Sequence, residues 1–168
     1  MQIVRRSALV GRKTAMTAEQ QKRVLVVDDD PGIRKLLCAV LRDRGLSVDE
    51  AGDGKEALDL IEANEYGVIV LDLVIPIIDG VTVAARLTVR TPRPVVLVVT
   101  GAAHEVVDGL DAATVHGIIR KPFDAEEIAN VVAACAEIRG RRSLETMALA
   151  MVAGGSLMTL LTVVGNSG

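Results

Sequence analysis

The sequence of 168 residues predicts an α/β fold, a single doubly wound domain with a five-stranded parallel sheet between helices. Three observations point there. Short runs of Val, Ile and Leu without polar alternation, such as Val24–Val27 and Val68–Leu71, have the pattern of strands buried on both faces. These runs alternate with segments of helical apolar spacing, at roughly 20–25 residues per strand–helix unit. Half of the residues are apolar, yet Tyr66 and Phe123 are the sole aromatics, so the core must be aliphatic. The length suits one domain with a real core and modest extensions.

In order along the chain, Val24–Val27 is a strand that stops at Asp28-Asp29-Asp30. Pro31-Gly32 opens a helix with Ile33, Leu36, Leu37, Val40 and Leu41 turned inward, and Gly45 ends it. Leu46–Glu50 alternates, as an edge strand does. Gly54–Ala63 is a helix that faces the core through Ala57, Leu58 and Ile61. Val68–Leu71 is the third strand, and Asp72 sits where it stops. A helix over about Val81–Val89 follows, broken by Pro92 and Pro94 before the strand Val95–Val99 and Thr100-Gly101. A weak helix runs from His104 to about Ala113, interrupted by Gly109. Gly117–Arg120 is the fifth strand and ends in Lys121-Pro122. Asp124 is placed to cap the last helix, which reaches Ile138 with Glu126 and Glu127 in its first turn.

Charge divides the chain. Residues 1–22 carry five basic groups against Glu19, whereas residues 23–140 carry 12 basic against 20 acidic. The expected organisation is a basic, disordered leader over 1–21, the α/β domain over 22–140, and an apolar tail over 141–168. Met16 is a second candidate start. An acidic body without interleaved aromatics argues against direct nucleic-acid binding. Cys38 and Cys135 fall in helical apolar patterns with no pair or metal spacing, and no secretory signal is present, so a cytoplasmic setting is expected.

The strand ends carry the chemistry. Strand one ends in Asp28-Asp29-Asp30, strand three in Asp72, strand four in Thr100 and strand five in Lys121. A parallel sheet brings all four ends to one edge, where open α/β sheets place their sites. Converging carboxylates repel unless a hard divalent cation neutralises them, and Mg2+ suits oxygen donors while leaving room for phosphate oxygens. A lysine and a hydroxyl beside them make a charge-balanced phosphoryl pocket. His104 and His116 have no partner at metal spacing and read as surface or loop histidines.

Val-Val-Asp28-Asp29, the apolar strand into Asp72, Pro76, Asp79-Gly80, Val-Val-Thr100 and Lys121-Pro122-Phe123 together resemble the receiver domain of two-component response regulators, over about residues 22–140. The resemblance implies a flavodoxin-like, CheY-like (βα)5 fold with strand order 2-1-3-4-5. It implies Asp72 as acceptor of a phosphoryl group from a sensor histidine kinase or histidine phosphotransfer protein. Mg2+ would be held by Asp29, Asp72 and the main-chain carbonyl of Val74, with Asp28 acting largely through a metal-bound water. Lys121 would pair with a phosphoryl oxygen, and Thr100 would bond another. A cis peptide is implied before Pro122. Asp30 is expected at the helix N-terminus rather than on the metal.

The chain departs from the family pattern at three positions. Ile118 stands where a switch aromatic is usual, so the route from Thr100 to the surface is open. Val74 and Ala102 cannot orient an attacking water through their side chains, so a long-lived acyl phosphate is expected. The 28 residues beyond Gly140 are too few for a winged-helix or helix-turn-helix module, so a stand-alone, non-enzymatic regulator that acts on a downstream protein is expected. Within the tail, Met147–Val164 is free of charge; packing on the domain or a second subunit is favoured over a membrane tether, because Gly154-Gly155-Ser156, Thr159 and Thr162 dilute it, and over a disordered remnant. Two other readings remain open. Asp28-x-Asp30 with Thr100 and a later lysine also fits haloacid-dehalogenase-like phosphatases, with Asp28 as nucleophile, but leaves Asp72, Pro76 and Asp79-Gly80 unexplained. A receiver that binds partners without phosphorylation is the other.

Overall fold

The computed structural model describes residues 20, 22–111 and 113–139. Within residues 22–139, five strands alternate with five helices: β1 (Arg23–Val27), α1 (Pro31–Asp43), β2 (Ser47–Ala51), α2 (Gly54–Ala63), β3 (Val68–Leu71), α3 (Gly80–Leu87), β4 (Val95–Thr100), α4 (His104–Asp108), β5 (Gly117–Arg120) and α5 (Ala125–Arg139). The sheet is parallel throughout, in the order β2-β1-β3-β4-β5. The expected α/β class and strand order are both present, and β2 is an edge strand as its alternation implied.

Side-chain period decides which layer each strand residue joins. Val24, Val26, Val68, Val70, Leu97 and Val99 face α1 and α5 and pack with Leu37, Cys38, Leu41, Ile128, Val132 and Cys135. Leu25, Val27, Ile69, Leu71, Val96 and Val98 face the other way, onto Ala57, Ile61, Val83, Ala84 and Leu87. Burial in apolar surroundings pushes the Cys135 thiol up to about 12, which makes it an inert core group.

Acidic side chains start four of the five described helices, α4 being the exception. Asp30 Oδ1 accepts from the Gly32 and Ile33 N–H groups at 2.7 and 3.1 Å, and Pro31 lies in the first turn of α1. Asp53 caps α2 through the Glu56 N–H, and Glu56 in return accepts from the Gly52 N–H. Asp79 caps α3 through the Thr82 N–H at 2.7 Å, and Asp124 caps α5 through Glu126 and Glu127. Gly45, at φ 73°, takes the left-handed turn after α1.

Several boundaries differ from those expected. Leu36, read as core-facing, is 50% exposed; Cys38 fills the inner face of α1 instead. β2 lies one residue later than Leu46–Glu50, because Leu46 packs into the core before the strand begins. α3 begins at Gly80 and stops at Leu87, leaving Val89 exposed beyond it. The helix expected over His104–Ala113 is one turn of five residues; it ends at Gly109 and buries none of them. The expected leader over 1–21, apart from residue 20, and the tail over 141–168 lie outside the described residues. Among the described residues, no helix is long and apolar enough to cross a membrane.

Candidate functional site

Register brings the polar strand ends together. Val27 pairs with Ala51 and Leu71, and Leu71 pairs with Val98, so Asp28 and Asp72 emerge side by side. Each extends the ladder by one bond: Asp28 N–H donates to Ala51 O at 3.2 Å and Asp72 N–H to Val27 O at 2.8 Å. On the other flank, Thr100 pairs with Arg120, and Lys121 N–H donates to Thr100 O at 3.1 Å. All these groups sit at the carboxyl edge of the sheet.

Asp72 is the hub. Lys121 Nζ donates to Asp72 Oδ2 at 2.5 Å and to Asp28 Oδ2 at 2.7 Å. Thr100 Oγ1 donates to Asp72 Oδ1 at 2.8 Å, and the Val74 N–H donates to the same oxygen at 3.0 Å. Asp28, Asp72 and Thr100 are buried, while Asp29 is exposed. The peptide bond between Lys121 and Pro122 is cis, as the resemblance implied; that between Thr91 and Pro92 is cis as well, and no sequence signal marked it. Asp79-Gly80 has a structural role here. A Cβ on Gly80 would stand 2.1 Å from the carbonyl oxygen of Asp72, so only glycine lets α3 start this close to the end of β3.

Electrostatics divide the acids. Burial raises the Asp28 carboxyl above its ordinary value, partly offset by its hydrogen bond from Lys121. For Lys121, burial lowers the ammonium, but hydrogen bonds to Asp28 and Asp72 outweigh it and hold the group above its usual value. Asp30 is lowered by the N–H groups of Ile33 and Gly32, which fits its capping role. One lysine thus balances two buried carboxylates, and a further cation would relieve the remaining desolvation cost.

The donor set fits such a cation. Carboxylate oxygens of Asp28, Asp29 and Asp72 all lie within 4.8 Å of one another. Hard oxygen donors on a half-open edge suit Mg2+ rather than a soft metal. Neither histidine joins this cluster. His116 Nδ1 accepts from the Val96 N–H at 3.1 Å, and His104 Nδ1 meets Arg120 at 3.0 Å.

Residues 24–133 match the family model described as "Response regulator receiver domain". The chain belongs to the response regulator receiver family. Among its relatives is the transcriptional regulatory protein TcrA of Mycobacterium tuberculosis, 36% identical over 108 residues, which covers 63% of this chain and 42% of that protein. Response regulator MprA of Mycolicibacterium vanbaalenii is 41% identical over 108 residues, covering 63% of this chain and 46% of the relative. The chain therefore spans less than half the length of the curated relatives it matches. Response regulator TrrA from Thermotoga maritima, solved in complex with Mg2+ and BeF, superposes with a TM-score of 0.60 at 30% identity, over 67% of this chain and 97% of that one. This membership speaks against the phosphatase reading, and the geometry agrees: Thr100 donates to Asp72 and not to Asp28.

Two residues of the receiver edge escaped the sequence reading. Arg34 Nη1 donates to the Asp28 carbonyl at 2.6 Å, tying α1 to the acidic loop. Arg120 donates through Nη1 to the Ala102 carbonyl and through Nη2 meets His104. The signal for Arg120 was a charge closing an otherwise apolar strand, directly before the lysine.

Proposed function

We propose that Asp72 accepts a phosphoryl group from a phosphohistidine on a sensor histidine kinase or phosphotransfer protein. The observation that carries this reading is one buried carboxylate, held between Lys121 Nζ and Thr100 Oγ1, beside two further carboxylates. In the step, the phosphorus–nitrogen bond of the donor breaks as a bond from an Asp72 oxygen to phosphorus forms, and the imidazole leaves. Asp29, Asp72 and the Val74 carbonyl would hold Mg2+, with Asp28 reaching it through a water. When bound, Mg2+ would offset the charge of the acids and of the incoming phosphoryl oxygens. Lys121 would exchange its contact with Asp72 for a phosphoryl oxygen, and Thr100 would turn its hydroxyl to another.

The receiver is one domain over residues 22–140, a phosphoryl-switched module in the cytoplasm and not a turnover enzyme. Its acidic body favours output through a downstream protein over direct contact with nucleic acid.

Incubation with acetyl phosphate and Mg2+, followed by mass spectrometry, tests the assignment. Label is expected on Asp72 and is lost in Asp72→Asn. Steady hydrolysis of p-nitrophenyl phosphate with label on Asp28 would support the phosphatase instead. Absence of label under any donor would favour a phosphorylation-independent receiver.

A further inference from the structure

We propose that Arg120 is the positioning residue that carries the state of Asp72 to the surface at α4, a role that rests on Asp72 being the acceptor. A continuous path of contacts supports it. Thr100 Oγ1 donates to Asp72 Oδ1 at 2.8 Å and accepts from the Ala102 N–H at 3.1 Å. The carbonyl of that same Ala102 is gripped by Arg120 Nη1, and Arg120 Nη2 meets His104 Nδ1 at 3.0 Å. A guanidinium has no acceptor, so His104 Nδ1 must accept, which places the ring proton on Nε2. The path thus runs from a buried carboxylate to an exposed imidazole through one residue of β5.

The surroundings leave Arg120 little competition. Ile118 and Arg120 share the face of β5 that looks toward α4, and Ile118 offers no polar atom to the loop. α4 has no fully buried residue and no side-chain cap, and within it Val107 alone packs, half-buried, against the core, so apolar packing holds it weakly. Ala102 is 7% exposed and bonded on both its N–H and its carbonyl, so it cannot follow Thr100 without disturbing the guanidinium. A phosphoryl group on Asp72 puts the acceptor for the Thr100 hydroxyl farther out than Oδ1. The hydroxyl shifts, Ala102 shifts with it, and the planar fork of Arg120 loses or remakes its contact with His104. Arginine suits this task because its donors are fixed in one plane, so displacing one partner changes the geometry at the other.

The test uses the full chain labelled with nitrogen-15 and loaded with Mg2+ and beryllofluoride, a mimic of the phosphoryl group. In the wild type, the Ala102 amide and the His104 ring signals are expected to move together. In Arg120→Ala, Ala102 still responds through Thr100 while the His104 response is lost. Loading also weakens by about fivefold, the lower range of such couplings. Arg120→Lys is expected to restore part of the His104 response. Should Arg120→Ala fail to fold, Arg120→Lys carries the test, because a single ammonium cannot hold both partners in one plane. An equal His104 response in wild type and variant overturns the proposal. Acetyl phosphate labelling of the same samples separates the two readings: label on Asp72 with a silent His104 overturns the relay alone, and no label on Asp72 overturns both.

Discussion

Helix α1 presents Leu37, Cys38 and Leu41 to the sheet and starts on the Asp30 cap, whereas α4 has no fully buried residue, sets only a half-buried Val107 against the core and starts on Ala103, which provides no side-chain cap. The α1 side is fastened further by Arg44, whose guanidinium reaches Glu126 at 2.6 Å and Asn130 at 2.9 Å on α5. On the α4 side, Arg120 has as partners one backbone carbonyl and one imidazole. The difference teaches where each half of the site gets its precision. Asp28, Asp29 and Lys121 hang from elements braced by α1 and α5, so the charged cradle is fixed. Thr100 leads into a loop with few apolar anchors, and that loop can move at small cost.

Truncation probes the contrast most strongly. Leu41→Ala should cost about 2–5 kcal/mol, since a fully buried methyl cluster leaves a cavity between α1 and the sheet. Val106→Ala in α4 should stay within about 0.5 kcal/mol. Urea unfolding of both variants measures the gap, and equal losses would erase the distinction between the two faces. Amide exchange adds a local reading: residues 104–108 should exchange through openings of low free energy while the centre of α5 follows global unfolding.

The next effect concerns lifetime at the site. Val74 is 62% exposed two residues past Asp72, the proposed acceptor, and its side chain offers no group to align a water. Val74→Asn should shorten the life of the acyl phosphate by about tenfold, read as loss of label from Asp72 over time. Ala102→Glu should act in the same direction at a cost in stability, because its position is nearly buried. Unchanged decay in Val74→Asn would mean that water is aligned by another group.

The smallest effect comes from the capping acids. The Thr82 N–H holds the Asp79 carboxyl below its ordinary 3.8, so its contribution is present above that pH and lost as pH falls through the lower folded value. Asp79→Ala should cost about 1 kcal/mol near neutrality, and the gap to wild type should close in acid below the ordinary value. A gap independent of pH would assign the loss to something other than the charged cap.

The sequence by itself determined the alternation of strands and helices, the two-sided burial of the central strands, and the set Asp28, Asp29, Asp72, Thr100 and Lys121. Those features are local: apolar runs, caps and strand ends are written in consecutive residues. Tertiary structure decided what local pattern cannot encode. Leu36 has the spacing of a core residue, but α1 turns Cys38 inward, because the helix sits on the sheet through a narrower stripe than its apolar content suggests. The helix after Thr100 is five residues long and stops at Gly109, with Val107 as its one contact to the core. Gly80 is required by the carbonyl of a residue eight positions earlier, visible only when α3 closes onto β3. Arg120 shows the same limit most clearly. As a residue it is one charge at a strand end; its meaning comes from Ala102 and His104, which a parallel pairing across β4 and β5 brings within reach.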